Sequence, residues 1–573
     1  MSTGHDLEKA PKAEEPHEPC EPYEPYEPLE HYESAGDYVR SRSADTRLRS
    51  RSSSSHFQQQ DLERTGSRLS RMETRGLERV NTALSVIRSR RPIPPFSHPL
   101  THEKTKPDVV VDFDGPDDPY RPINWPYKKK LWTTALYGFT TMGSSFASSV
   151  YSPAVKEISS QYHVGTEVSL LGVALLLFGF GVGPLLWAPL SEVYGRKKAV
   201  LIPYFIAGIF SFATGASKDI QSICITRFFT GLFASAPVTN TGGVLGDIWA
   251  AEQRGLAIVG YALAVVGGPT LGPIVGGAII VSGVSWRWTQ YITGIYMLVM
   301  LFLDILILDE SFPPILLVYK ARRLRHESGN WALHAKHEEW DISLRELCNK
   351  YLVRPFQLLF TPICFLVALY ASFVYGILYA TLAAFPVEFQ ETRGWNELIG
   401  ALPFLALLLG IMIGACANIM NQKFYIKRFK AAGNRPVPEA RLPPMMFGSV
   451  SFCAGLFIFA WTSPAHIHWI APCIGAVLIG LGFFTIFQAA LNYLIDTFQR
   501  YAASAVAANT FLRSALAGAF PLFINPLLHN VGIPWGISIF AFFSIALIPI
   551  PYLFYIFGRR IRASSYWSKE SVF

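Results

Sequence analysis

Three ionisable residues stand inside long apolar runs of the sequence: Arg227, Asp304 and Arg513. A charge at mid-bilayer depth costs about 2.5–3.5 kcal/mol on insertion scales, so each is expected to have a partner or a task. Arginine keeps its proton in proteins. Arg227 therefore does not carry a proton itself, but it can displace one from a neighbouring carboxyl or hold that group's place. Asp304 can carry one; the plainer reading makes it a helix-end acid near Asp309 and Glu310, and makes Arg513 a snorkelling or structural charge. A second constellation is the polar interruption APLSEVYGRKK (188–198), where Glu192 lies beside Gly195, Arg196 and Lys197. Gly195 permits a tight turn, and Glu192 with the cations can form an ion-pair latch with Asp247 and Arg254, which close a later run. The bland alternative is a basic turn. A third group, Gly268, Gly272, Gly276 and Gly277 with Pro269 and Pro273, lies inside one apolar run. Glycines four apart let a second helix approach closely, and the prolines bend their own helix.

The elements that must position these residues are membrane helices. Half of the 573 residues are hydrophobic and only 16% are charged, and the mean hydropathy is +0.27. Polarity is concentrated in residues 1–130. Twelve runs long enough to cross a bilayer follow: 131–153, 168–190, 199–217, 220–245, 256–282, 289–309, 357–386, 396–420, 443–462, 468–494, 503–528 and 535–557. Lys and Arg crowd the loops on one side, above all 311–355 and 421–441. By the positive-inside rule that side is cytoplasmic, with both termini. The chain then divides into a disordered tail (1–125), a six-helix bundle (126–310), a linker (311–355), a second six-helix bundle (356–558) and a short tail (559–573). The linker reads as an amphipathic helix on the membrane surface. Residues 1–36 repeat Glu and Pro, and 40–91 repeat Arg and Ser with Arg-x-x-Ser spacing, a pattern that basophilic kinases read.

Aromatic residues are frequent within the spans, among them Tyr151, Tyr375 and Phe487. With Gln488, Asn492 and Arg513 they are candidates for a cavity that takes flat apolar or cationic compounds by stacking and cation–π contact. The seven cysteines are scattered without a CxxC pair, which points to packing rather than redox or metal chemistry. There is no G-x-x-x-x-G-K-[ST] phosphate loop and no catalytic constellation in the spans. The chain is therefore expected to be neither an ATPase nor an enzyme, to need no cofactor, and to bind no nucleic acid despite its net charge of +8.

PLSEVYGRK resembles the loop signature G-x-L-a-D-r-x-G-r-k of the major facilitator superfamily. Ala188 stands for its Gly, Glu192 for its Asp and Val193 for an Arg, while Gly195, Arg196 and Lys197 match. Arg227-Phe-Phe-Thr-Gly231, GPTLGPIVGG (268–277) with Trp286-Arg-Trp288, and Asn492-Tyr-Leu-Ile-Asp496 are similar to the fungal twelve-helix drug:proton antiporters of that superfamily. The resemblance covers about residues 125–560. It implies an all-α membrane protein, with twelve helices in two pseudo-symmetric bundles around a cavity that opens alternately to either side. It implies proton coupling near Arg227 and a proton seal at the 268–277 helix. The expected function is export of drugs, toxins or polyamines in exchange for protons by a monomer in the plasma membrane. The alternatives are a sugar-like symporter or facilitator, and a transporter-like sensor that signals through its tail.

Overall fold

The computed structural model describes residues 110–339, 349–433 and 435–569. The Glu-Pro tract and the Arg-Ser kinase-type sites lie outside them. Among the described residues twelve long helices follow one another: α1 (Tyr127–Ser149), α2 (Thr166–Tyr194), α3 (Arg196–Ala216), α4 (Ile220–Ile248), α5 (Ala251–Val281), α6 (Arg287–Ile307), α7 (Pro362–Phe385), α8 (Pro403–Ala431), α9 (Pro443–Thr462), α10 (Ile470–Thr497), α11 (Ala502–Val531) and α12 (Ile533–Leu547). A further helix, Pro549–Ser564, continues α12 past a break at Pro549. Ten spans are long and apolar enough to cross a membrane. The other two helices, α1 and α4, fall short because they bury polar side chains such as Thr140, Ser144 and Ser148 on α1 and Arg227, Thr230 and Asn240 on α4.

Packing repeats across the two halves. In the first, α1 packs on α5, α2 on α4, and α3 on both α4 and α6. In the second, α7 packs on α11, α8 on α10, and α9 on both α10 and α12. The halves meet where α2 lies on α11 and α5 on α8, pairs that a two-fold axis would exchange. The two bundles are thus pseudo-symmetric, as the sequence suggested. Close approach is glycine-dependent at the repeated contacts: a Cβ on Gly179 would strike the α4 backbone at Leu232, and one on Gly414 the α10 backbone at Leu481.

Several boundaries differ from the hydropathy reading. The Lys128–Lys130 collar belongs to the first turns of α1. Half of the expected 421–441 loop is helix, because α8 runs on to Ala431 with Arg428 and Lys430 in its last turn, where cations suit the helix dipole. The linker is not one long helix. Its helix Pro313–Ser328 stops at Gly329, held at φ 68°, a left-handed cap that glycine adopts without strain.

The tail boundary at 125 also needs correction, since residues 110–125 are built onto that linker helix. Lys320 is almost fully buried and donates to Asp114 (2.8 Å), Asp118 (3.2 Å) and the Asp112 carbonyl (2.9 Å). Burial opposes ionisation of Asp118, but the backbone N–H groups of Asp114 and Tyr120 and the Lys320 ammonium outweigh it and hold the carboxyl below its usual value. The Val111 N–H donates to the His334 carbonyl at 2.8 Å, and Val111 packs with Val318, Ala321 and Ala335. Hydropathy misses this segment because its anchors are acids and prolines rather than an apolar run.

Candidate functional site

A narrow cleft lies between the halves. Phe180 of α2 and Ser235 and Thr239 of α4 line it from the first half; Tyr375 and Tyr379 of α7 and Arg513 of α11 line it from the second. Arg513 is buried, and its guanidinium carbon sits 4.6 Å from the Tyr375 ring centre and 5.2 Å from that of Phe487. Those ring faces were expected to receive flat apolar or cationic compounds; the protein's own arginine lies over them. Phe487 stacks on Phe483 at 5.9 Å. Gln488 and Asn492 open instead into a second polar pocket with Asn418, Gln422 and Arg441. Tyr151, assigned to the cavity from its sequence position, is fully buried and packs on Arg227 at 4.7 Å.

Arg227 does not face the cleft either. Its Nε donates to the Gly172 carbonyl (2.9 Å), and its Nη1 to the Ala147 carbonyl (2.8 Å) and Gln290 Oε1 (3.4 Å). It therefore ties α4 to α2, α1 and α6, and among the described residues no carboxylate touches it. Asp304 is fully buried. Thr140 of α1 donates to its Oδ2 at 2.6 Å, and its Oδ1 has no partner. It stands in the last turn of α6, its backbone carbonyl accepting from the Leu308 N–H at 3.0 Å; beyond it Asp309 pairs with Lys129 at 2.7 Å and Glu310 turns to α3.

The 188–198 turn sits at the loop-rich end. Gly195 has φ 93°, and a Cβ there would meet the Glu310 carboxyl carbon at 2.8 Å. That carboxylate accepts from the N–H groups of Arg196 (2.9 Å) and Lys197 (3.1 Å) and so caps the positive start of α3. Lys197 Nζ donates to the Leu308 carbonyl at 2.6 Å, capping α6 in return. Arg196 Nε pairs with Asp247 at 3.3 Å and its Nη1 donates to Ser191 at 2.8 Å. Arg254 turns back to the carbonyls of Gly246 (2.8 Å) and Trp249 (3.4 Å). Glu192 occupies the last turn of α2.

The second half repeats this device, which the sequence reading missed. Arg441, just before α9, pairs with Asp496 at the end of α10 at 2.9 Å. Glu439 accepts from Arg562 of the α12 extension at 2.6 Å. The matching positions of Asp247 and Asp496, each closing the fourth helix of its half, were the available signal. These pairs are half-buried, between exposed pairs that contribute about 0–1 kcal/mol and buried ones whose breaking costs about 3–5 kcal/mol; 1 kcal/mol is about five-fold in rate. Asp247→Asn and Asp496→Asn are each expected to slow transport about five-fold without loss of folded protein, measured as flux per mole of purified transporter.

At the opposite end the halves are joined by polar contacts. Lys156 Nζ pairs with Glu391 at 2.9 Å, His529 Nε2 lies 2.9 Å from the same carboxylate, and the Ser148 hydroxyl lies 2.8 Å from that of Tyr379. The glycines of α5 fit α1 and α8: a Cβ on Gly272 would meet the Val150 nitrogen at 2.8 Å, and one on Gly277 the Glu397 carbonyl at 2.7 Å. Pro269 and Pro273 lie within the same helix.

Two helical bundles around a cleft, with matched ion pairs at one end, define a membrane transporter. Residues 137–521 match the Major Facilitator Superfamily. The chain is 53% identical over 472 residues to the efflux pump bik6 of Gibberella fujikuroi, covering 82% of this chain and 97% of that one. It is 39% identical to the multidrug transporter FLU1 of Candida albicans, covering 87% and 83%. Among solved structures it resembles the proton:xylose symporter XylE with a TM-score of 0.55 at 15% identity, over 76% of this chain and 96% of that one; at that identity the likeness concerns fold alone. The chain belongs to the Major Facilitator Superfamily, on the fungal branch whose members include efflux pumps and multidrug transporters. It is a membrane transporter of small molecules and not an enzyme.

Proposed function

We propose that the protein exports small organic molecules from the cytoplasm in exchange for protons, by exposing the central cleft alternately to the two sides. Export is supported by the efflux and multidrug relatives. Proton coupling rests on Asp304, a buried carboxyl whose only hydrogen-bond donor among the described residues is the Thr140 hydroxyl. An ionised carboxylate is costly in such a place, so its charge state and the opening of the surrounding helices depend on each other. The paired ends Arg196–Asp247 and Arg441–Asp496 form the cytoplasmic gate, with Glu192, Gly195, Lys197 and Arg254 shaping the first of them. Arg227 positions α1, α2 and α6 around α4. The Lys- and Arg-rich end faces the cytoplasm, the membrane is the plasma membrane, and the monomer is the working unit. Kinases acting on the Arg-Ser tract regulate it. Inside-out vesicles with an acid lumen are expected to accumulate an aromatic compound from a drug and dye panel, and a protonophore to abolish the accumulation. Accumulation indifferent to the proton gradient would overturn the coupling.

A further inference from the structure

Arg513 is the feature of the cleft that its lining does not explain. It is 7% exposed, its Nε has no partner, and its guanidinium lies over the faces of Tyr375 and Phe487. The buried and half-buried acids that could neutralise it are held elsewhere: Asp304 by Thr140, Asp247 by Arg196, Asp496 by Arg441 and Glu388 by Arg393. No carboxylate lines the cleft beside it. A buried cation without a counter-charge is unfavourable, and cation–π contact offsets only part of that. Of the hydroxyl groups around the same space, those of Ser235, Thr239 and Thr510 donate to carbonyls of their own helices, which leaves Arg513 as the chief donor facing an anion there. Arg227, also without a contacting carboxylate, adds a second positive centre to the membrane interior.

We propose that the cleft selects aromatic organic anions, carboxylates or phenolates, with Arg513 binding the anionic group and the Tyr375–Phe487 wall stacking on the ring. The planar guanidinium can bind a carboxylate through two parallel N–H donors, and the neighbouring rings supply a flat apolar surface. Cationic compounds are disfavoured, because their charge would meet Arg513 on the faces that cation–π binding requires. This substrate class rests on the transport reading above. Under that reading, an anion leaving while a proton enters moves charge twice in one direction, so an inside-negative potential assists export.

The test is equilibrium binding to the purified protein in lipid nanodiscs, with a matched set: 2-naphthoate, neutral 2-naphthamide and cationic 2-naphthylmethylammonium. The wild type is expected to bind the acid about 10- to 100-fold more tightly than the amide, the range for hydrogen bonds to charged groups, and the ammonium most weakly. Arg513→Gln should bring the acid down to the amide's affinity while leaving the amide unchanged, and Arg513→Lys should keep part of the preference. Equal or tighter binding of the amide or the ammonium by the wild type would overturn the proposal, with no variant needed. So would an acid-to-amide ratio untouched by Arg513→Gln. Binding needs no gradient or direction, so anion preference without proton-driven flux would overturn the exporter reading and leave this one standing.

Discussion

Replacing Arg227 with methionine is expected to cost most of the folded protein and all of its transport. The side chain is fully buried, and its donors reach the carbonyls of Gly172 on α2 and Ala147 on α1 and the amide of Gln290 on α6. Each hydrogen bond to a charged group contributes about 1.5–3 kcal/mol. Losing the two short ones alone should cost about 3–6 kcal/mol, a large share of a stability that is typically about 5–15 kcal/mol. Lysine is a poor substitute, since a point charge cannot reach three acceptors in three directions as the guanidinium fork does. Thermal unfolding in detergent, read beside flux, separates the possible roles. A variant as stable as the wild type that has lost only proton-linked transport would show that Arg227 acts in coupling, not in tying helices.

Bulk placed on the α5 glycines should have the next largest effect, with a signature that depends on position. A Cβ at Gly272 would lie 2.8 Å from the Val150 nitrogen of α1, and one at Gly277 2.7 Å from the Glu397 carbonyl beside α8. Both obstacles are backbone and cannot rotate away. Overpacking typically costs about 1–3 kcal/mol. Gly272→Val strains α1 against α5 within one half and should lower stability. Gly277→Val wedges the two halves apart and should raise proton leak in the absence of substrate, measured with a pH-sensitive dye inside proteoliposomes. An unchanged leak for Gly277→Val would contradict the proton seal expected at this helix.

Much of this architecture was legible because bilayer insertion leaves a strong mark on sequence. The twelve runs, their loop charges and the Gly195 turn follow from length, hydropathy and the left-handed conformation that glycine permits. The ends of elements were less legible. Charged continuations such as Lys423–Lys430 on α8 look like loop, although they are helix outside the apolar core. Partners distant in sequence could not be read at all: Glu310 beneath Gly195, Arg441 against Asp496, and Lys320 inside the acidic 112–118 turn each depend on the chain returning to a point fixed by packing. The cavity was the hardest case. Tyr151, Tyr375 and Phe487 are equivalent by composition, and only the rotation of each helix decides that Tyr375 lines the cleft while Tyr151 packs on Arg227.

Proton coupling through Asp304 is most directly tested by substrate-linked proton flux in proteoliposomes, wild type against Asp304→Asn. Asparagine keeps the size of the side chain and an oxygen for the Thr140 hydroxyl but cannot exchange a proton. In the wild type, substrate moving down its gradient should drive protons the opposite way. In Asp304→Asn that proton movement should vanish while substrate-for-substrate exchange across the bilayer continues. Undiminished substrate-linked proton flux in Asp304→Asn would contradict the assignment.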